Sequence, residues 1–201
     1  MKGIVFLNGE PYNGDIDVGG SFVVACDGGY SYALKKGIKC NLVLGDFDSL
    51  GYKPDGAEIF PAEKDYTDGE LALLELKKRG ITDIEIYCGA GKRDDHYFGN
   101  IGLLVKGEKL GLNVKFVTEY TEFVLASGKV LFNGRIDDTV SVLPVTEKIH
   151  ISESYGLKYP ANGLDIYFGD SIGLSNVIKK ENAFVNITEG KALVFFVKKV
   201  N

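Results

Sequence analysis

The first 118 residues of this chain alternate between strand-like and helix-like segments, and two of the apparent strands run straight into clusters of acid. Apolar runs rich in Val, Ile and Phe fall at about 3–8, 21–26, 41–45, 57–60, 83–88 and 113–118. Helix-like segments lie between them at about 29–37, 67–79 and 95–110. Such alternation predicts an α/β unit with a mostly parallel sheet. After about residue 119 the helical period disappears. Short runs at about 121–126, 128–132, 138–143, 147–152, 164–168, 183–188 and 192–198 are set off by turn pairs such as Asn133-Gly134 and Glu189-Gly190. Seven short strands without a helix predict an all-β sandwich or small barrel. The boundary is expected near 119–127, giving one domain over 1–120 and a second over 121–201. No repeat or low-complexity segment interrupts either part.

Asp27 follows the run Phe22 to Ala25, and Asp46 follows Leu42 to Leu44. In an open α/β sheet the carboxyl ends of the strands form the crevice where ligands bind. Carboxylates grouped there are hard oxygen donors of the kind Mg²⁺ takes, one or two at a time, alongside substrate phosphates. The acids fall in four clusters: Cys26-Asp27-Gly28-Gly29, Gly45-Asp46-Phe47-Asp48-Ser49, Lys64-Asp65-Tyr66-Thr67-Asp68-Gly69-Glu70 and Gly91-Lys92-Arg93-Asp94-Asp95-His96. Together they point to a Mg²⁺-dependent enzyme of phosphorylated substrates.

Each cluster also has a plainer reading. Asp46 and Asp48 share one side of an extended chain, as a metal pair would, but taken alone they equally make an acidic turn. Thr67 with Glu70 forms a capping box ahead of Leu71, Leu73, Leu74 and Leu76, and Asp68 falls in the first helical turn. One cap suffices for a helix start, so Asp65 is surplus to it. Gly89-Ala90-Gly91-Lys92-Arg93 follows a strand, where glycines let backbone N–H groups approach phosphate and Arg93 offers a two-donor clamp. It is not a P-loop, because Ile86 stands where the first glycine belongs and Arg93 where Ser or Thr would bind the metal. His96 suits either a neutral-pH base or a capping role. His150, in an alternating strand, reads as structural. Tyr155 to Pro160 and Gly173 to Asn176 are polar-aromatic segments between strands, compatible with a flat heteroaromatic ligand or with ordinary turns.

Bulk properties narrow the class. The 201 residues are 45% hydrophobic and 25% charged, with a net charge of -5. That gives ample core and no basic face for a nucleic-acid backbone. An acidic protein that binds polyphosphate needs metal and a few placed cations to offset repulsion. The apolar start at Gly3 to Leu7 is too short for a signal peptide, and no run reaches membrane-span length. Three cysteines without CxxC spacing read as reduced thiols of a cytoplasmic protein. Without a secretory signal the Asn186-Ile187-Thr188 sequon carries no weight.

These motifs, in this order, resemble the thiamine pyrophosphokinase family along nearly the whole chain. The family's DGG turn matches Asp27 to Gly29, its GDFDS matches Gly45 to Ser49, and its K-D-x-T-D-x-E helix start matches Lys64 to Glu70. Its GGR-x-DH turn matches Gly91 to His96 with Asn100, Leu103 and Leu104 following, its GLKYP matches Gly156 to Pro160, and its LSN matches Leu174 to Asn176. Lys92 replaces the second glycine of GGR, and Ala161 and Val177 stand where bacterial relatives more often carry Leu and Glu. The resemblance implies transfer of diphosphate from ATP to the hydroxyethyl oxygen of thiamine, giving thiamine diphosphate and AMP. It implies catalytic roles for Asp46, Asp48, Asp65, Asp68, Arg93 and Asp95, with Mg²⁺ on Asp46, Asp48 and Asp68. ATP would be held by Asp27, Gly28, Ser49, Lys64, Gly91, Lys92, Arg93 and His96, and thiamine by Tyr159, Ser175 and Asn176. The first domain would then be catalytic and the second thiamine-binding, in a homodimer whose sites lie between subunits. A pterin pyrophosphokinase of the same fold, a haloacid-dehalogenase-type phosphatase and a non-catalytic thiamine or nucleotide sensor are the rival readings. The β segments argue against the first, Leu50 against the second, and the full set of acids against the third.

Overall fold

In the computed structural model the described residues are 1–46, 58–59 and 66–197, with 58–59 described by their backbone alone. They divide into two compact units, Met1–Glu119 and Tyr120–Asn201.

The first unit contains β1 (Gly3–Phe6), β2 (Phe22–Cys26), α1 (Gly29–Lys35), β3 (Leu42–Gly45), β4 (Glu58–Ile59), α2 (Asp68–Lys78), β5 (Asp83–Tyr87), α3 (Asp94–Lys109) and β6 (Asn113–Val117). All its strand pairs are parallel, in the order β4-β3-β2-β1-β5-β6. Helices cover both faces, as a sheet of fully buried strands requires. On one side Ile4, Phe6 and Val23 pack with Tyr32 and Ala33 of α1. On the other, Leu76 of α2 lies against Gly3, and Val114 of β6 lies against Gly107 of α3. The chain winds outward from β1 through β2 to β3, then returns to the far side of β1 for β5 and β6. The order therefore reverses between β1 and β5, and such a switch point opens a crevice above the carboxyl ends of the strands.

The three helices fall on the segments expected from the sequence, and the capping box of α2 is present in both directions. Thr67 Oγ1 accepts the Glu70 N–H, and Glu70 Oε2 accepts the Thr67 N–H. The buried face of α2 differs from the leucine stripe. Gly69, Ala72, Leu73 and Leu76 are buried, whereas Leu71 and Leu74 are only partly so. The small residues Gly69 and Ala72 let the helix sit close to its neighbours, and Leu103 of α3 fills the space beside Gly69.

The second unit contains β7 (Thr121–Leu131), β8 (Thr139–Pro144), β9 (Lys148–Tyr155), β10 (Leu164–Tyr167), β11 (Asn176–Val177) and β12 (Phe184–Val197). Its pairings are antiparallel. Glu189-Gly190 is not the turn that its residue types suggest. It lies inside β12, where the register shifts between Ile187 and Ala192. Gly128, opposite in β7, and Gly190 both have positive φ (72° and 75°), so each long strand bends at a glycine bulge instead of reversing. The bend gives β12 two sets of partners. Residues 192–197 pair with β7 and β8, and 184–189 pair with β7 and β9. The sheet curls around a core that includes Phe132, Val140, Ile149, Ile166, Ile178, Val185 and Val194. His150 pairs across strands with Asp165, Nδ1 to Oδ1 2.7 Å. Among the described residues no helix is long and apolar enough to cross a membrane.

One ion-pair cluster ties neighbouring strands of the parallel sheet. Glu85 of β5, its side chain 14% exposed, takes Lys2 Nζ at 2.9 Å and Lys115 Nζ at 2.6 Å, and accepts the Tyr87 hydroxyl at 2.9 Å. Burial raises the Glu85 carboxyl, but hydrogen bonds from Lys115 and Lys2 outweigh it and bring it down to about 2. A folded-state value below the unfolded one, about 4.3, means that the ionised group stabilises the fold at higher pH. That stabilisation is lost as pH falls from about 4.5 towards 2. Discounted for the exposed lysines, the contribution is on the order of 1–2 kcal/mol. Urea unfolding at pH 6 and pH 3 should show a smaller drop in stability for Glu85→Gln than for the wild type. Identical drops in the two proteins would refute the assignment.

Candidate functional site

Four strand ends converge in the first unit. Beyond its last paired residue, β1 continues to bond to the segment after β5: the N–H groups of Leu7, Gly9 and Glu10 donate to the carbonyls of Tyr87, Cys88 and Ala90 at 3.0, 2.6 and 2.7 Å. The Asp27 N–H donates to the Leu44 carbonyl at 2.9 Å, which joins the ends of β2 and β3. Approach is so close at Gly29 that a Cβ there would fall on the Phe6 carbonyl oxygen. Asp27, Cys88 and Lys92 take left-handed backbone at φ 46°, 56° and 61°. Strain of that kind concentrates at functional sites, and it is observed here at the ends of β2 and β5.

Above these ends lies a cleft of about 900 Å³. Asp27 and Asp46 enter it from the ends of β2 and β3, and Asp68 from the first turn of α2. Gly91, Lys92 and Arg93 enter from the turn after β5, and Asp95 and His96 from the start of α3. The two helix N-termini add positive dipole ends, which favour an anion. Gly28 sits behind the wall, with the Asn8 amide packed against it. Asp48, Ser49, Lys64 and Asp65 lie outside the described residues.

Arg93 and Asp95 form a two-point clamp, with Nε to Oδ1 at 3.1 Å and an Nη2 donor to Oδ2 at 2.6 Å. The pair is well exposed. The Arg93 hydrogen bonds hold the Asp95 carboxyl below its usual range, and Asp95 raises Arg93 in return. Both groups are therefore charged near neutral pH, and the guanidinium already has the two-donor geometry that a phosphoryl group takes. Lys92 reaches back across the sheet end, its Nζ donating to Asn8 Oδ1 at 3.0 Å. Asn100 of α3 donates to the Gly89 carbonyl at 2.9 Å and fixes the turn from below. Cys88 is buried, and burial pushes its thiol up to about 11.

The carboxylates are suitable donors for Mg²⁺. Asp46 and Asp68 face one cleft, and one or two carboxylates beside substrate phosphates are what that ion takes. Among the described residues no three His, Cys, Asp or Glu side chains stand close enough to hold a metal without further ligands. Asp48, the remaining member of the expected set, is outside them.

Tyr159, Ser175 and Asn176 all belong to the second unit. Asn176 grips the backbone of Tyr159 at both ends: its Oδ1 accepts the Tyr159 N–H at 3.0 Å and its Nδ2 donates to the Tyr159 carbonyl at 2.7 Å. Tyr159 is 57% exposed, so it is not a core residue. Ser175 has φ 57° and donates its N–H to Ser141 Oγ at 3.0 Å.

The match to known proteins agrees with this layout. The thiamin pyrophosphokinase catalytic domain matches residues 19–116, and the thiamin pyrophosphokinase vitamin B1 binding domain matches residues 130–193. The chain belongs to the thiamine pyrophosphokinase family. A Bacillus subtilis thiamine pyrophosphokinase is 28% identical, over 94% of this chain and 96% of that protein. Thiamin pyrophosphokinase 1 of Caenorhabditis elegans is 25% identical, over 98% and 89%. The fold is that of the crystal structure of the Bacillus subtilis enzyme, with a TM-score of 0.86 at 24% identity and complete coverage of both chains. The Candida albicans enzyme superposes with a TM-score of 0.78 at 17% identity, over 98% and 90%.

Several residues of this family member's cleft lie outside the sequence motifs or, like Tyr66, at a motif position to which no role was assigned. Asn8 and Gly9 line it from the end of β1, and Tyr66 and Lys106 from beside α2 and on α3. The first pair follows an apolar strand but belongs to none of the four acidic clusters. The second pair meets only through tertiary packing.

If Asn176 organises the segment and the Tyr159 ring stands clear of the core, the two substitutions separate in thermal unfolding. Asn176→Ala should cost about 1–2 kcal/mol through its three lost side-chain hydrogen bonds, to Tyr159 N–H, the Tyr159 carbonyl and Val177 N–H. Tyr159→Ala should stay within about 0.5 kcal/mol of the wild type, as exposed substitutions do. The reverse ranking would overturn this picture of the segment.

Proposed function

We propose that the protein transfers the terminal diphosphate of ATP to the hydroxyethyl oxygen of thiamine, giving thiamine diphosphate and AMP. The observation that carries the reading is the cleft at the β1/β5 switch point, lined by Asp27, Asp46 and Asp68 facing Lys92 and Arg93, in a chain that also matches the vitamin B1 binding domain. That second match favours thiamine over a pterin as acceptor.

Phosphoryl chemistry asks mainly for positioning and charge neutralisation. Asp46 and Asp68, with Asp48 from the same acidic motif, are the residues that would hold Mg²⁺, with Asp65 and Asp95 near it. When bound there, the metal neutralises the polyphosphate and aligns it. Asp27 lines the path of the phosphates with Gly28 behind it, and Ser49 and Lys64 are assigned beside it from the motifs. Gly91, Lys92, Arg93 and His96 close the other side. The thiamine oxygen attacks the β-phosphorus, the bond to the oxygen bridging the α- and β-phosphorus breaks, and AMP departs with that oxygen. For the transition state, Arg93 exchanges its partner Asp95 for the transferred oxygens, which releases that carboxylate beside the attacking hydroxyl. Asp95 and Asp68 are accordingly the candidates for receiving its proton. Tyr159 offers a flat face to the thiamine rings, with Ser175 and Asn176 beside it.

We assign residues 1–120 to catalysis and 121–201 to thiamine, a reading supported by the family matches over 19–116 and 130–193. We further assign a homodimer with its sites between subunits, and the cytoplasm as its compartment. Cys26, Cys40 and Cys88 stand as thiols, which is compatible with a reducing environment.

Incubation with ATP, Mg²⁺ and thiamine, with products resolved by chromatography, tests the reaction. AMP and thiamine diphosphate are expected; ADP with thiamine monophosphate would refute it. Asp46→Asn should lose most turnover with the fold intact, since an uncharged amide is a poorer Mg²⁺ ligand. Arg93→Lys should lose roughly 10²-fold in kcat despite keeping its charge, because a point charge cannot reproduce the planar clamp. An effect confined to the thiamine KM would place Arg93 elsewhere. Tyr159→Ala should weaken thiamine binding roughly threefold to tenfold. Calorimetric titration should show ATP affinity unchanged, and equal losses for both substrates would defeat the assignment.

A further inference from the structure

The cleft extends beyond the strand ends along one side of α3. Asp95, Gly99, Gly102 and Lys106 all line it. Their spacing of four, three and four residues places them on one helix face, over roughly 16 Å. The charged turn and the carboxylates gather at the Asp95 end. The Lys106 end has a different chemistry.

There Tyr66, 44% exposed, has Lys106 Nζ over its ring at 5.0 Å from the centroid. Lys106 Nζ also pairs with Glu70 Oε1 at 3.2 Å, and the other Glu70 oxygen accepts the Thr67 N–H in the capping box of α2. The ring is thereby tied through one cation and one carboxylate to a helix start, and the ammonium is neutralised. Between this ring and the charged turn, α3 presents two glycines. A Cβ built at Gly99 or Gly102 meets no atom of the described residues within 4 Å. Neither has positive φ. Both lower helix stability relative to alanine without a conformational need, so what they provide is a flat helix face, open among the described residues.

We infer that this end of the cleft seats the nucleobase of ATP, with the base stacked on the Tyr66 face that Lys106 leaves open and its edge over Gly99 and Gly102. The inference rests on the ATP reading of the cleft. A flat heteroaromatic ring stacks offset on an aromatic side chain, and such a platform takes any base because every base has a π-face. The seat therefore grades nucleotides by stacking area, with purines ahead of pyrimidines, and does not read their hydrogen-bonding edges. Thiamine is the other heteroaromatic molecule of the reaction, and the test separates the two.

Calorimetric titration of the full chain in Mg²⁺ would use three probes: the α,β-methylene analogue of ATP, inorganic tripolyphosphate and thiamine. Tyr66→Ala should weaken the ATP analogue about fivefold or more, leave tripolyphosphate within about twofold, and leave thiamine unchanged. Tyr66→Phe should restore the analogue's affinity. Gly102→Leu, a change that favours helix, should keep the melting temperature and selectively weaken the analogue by filling the open face. Equal weakening of the analogue and tripolyphosphate, or no weakening, would overturn the seat. A loss confined to thiamine would assign Tyr66 to the acceptor instead. If the wild type bound neither analogue nor tripolyphosphate, the nucleotide reading of the cleft would itself fall, and the seat with it.

Discussion

The whole catalytic arrangement depends on how tightly the carboxyl ends of β1, β2, β3 and β5 are drawn together. The backbone bonds from Leu7, Gly9 and Glu10 to Tyr87, Cys88 and Ala90 carry sheet pairing past the ends of β1 and β5. A parallel sheet normally stops there and its chains diverge into loops. Here the extension fixes the turn that holds Lys92 and Arg93 relative to the end of β1, while the bond from Asp27 to Leu44 fixes Asp27 relative to Asp46. Close packing at Gly29 and left-handed backbone at Asp27, Cys88 and Lys92 are the local costs of that convergence. The surrounding hydrogen bonds over-determine these conformations, so the charged side chains stand on a rigid frame.

That frame resolves a problem of charge. A chain with a net charge of -5 that gathers Asp27, Asp46 and Asp68 in one cleft repels a polyphosphate unless cations intervene. Two helix N-termini, Lys92 and Arg93 supply part of the compensation, and a divalent ion is the natural source of the rest. Without ligand, the Arg93–Asp95 clamp keeps the strongest donor occupied but exposed. Exchange of one carboxylate for phosphoryl oxygens then costs little, because an exposed ion pair is worth little in water.

Much of the first unit was legible in the amino-acid sequence because its signals are local. Strand runs ended by acids, the Thr67 and Glu70 capping box and the helical stretch of α3 each occupy a few consecutive residues. Where packing decides, the reading was incomplete. The buried side of α2 takes in Gly69 and Ala72 beside Leu73 and Leu76, and Leu103 fills the space at Gly69, which no leucine pattern announces. Gly128 and Gly190 resemble turn residues, yet they bend continuous strands, because β12 must pair with β8 over one half and with β9 over the other. Asn8 shows no local mark at all, and its partner Lys92 lies 84 residues away. Tyr66 and Lys106 meet only because α2 and α3 pack together.

The parallel sheet by itself says little about which molecule accepts the transferred group. Its switch-point cleft is a general solution for phosphates, reused with many acceptors, and acceptor choice must be argued from other residues. In this chain the distinguishing segments, Gly156 to Pro160 and Leu174 to Asn176, lie in the second unit and hold each other. Asn176 bonds both backbone groups of Tyr159, Lys158 donates its N–H to the Val177 carbonyl, and Ser175 is anchored on the buried Ser141. A loop of this composition would otherwise be mobile, and an aromatic ring on a mobile loop loses much of its stacking energy to ordering. Binding the segment to β8 through the two-residue strand β11 sets the ring's position before any ligand arrives. On the proposed reading, specificity for the acceptor thus rests on preorganising a short exposed segment, whereas handling of the diphosphate rests on the convergence of four strand ends.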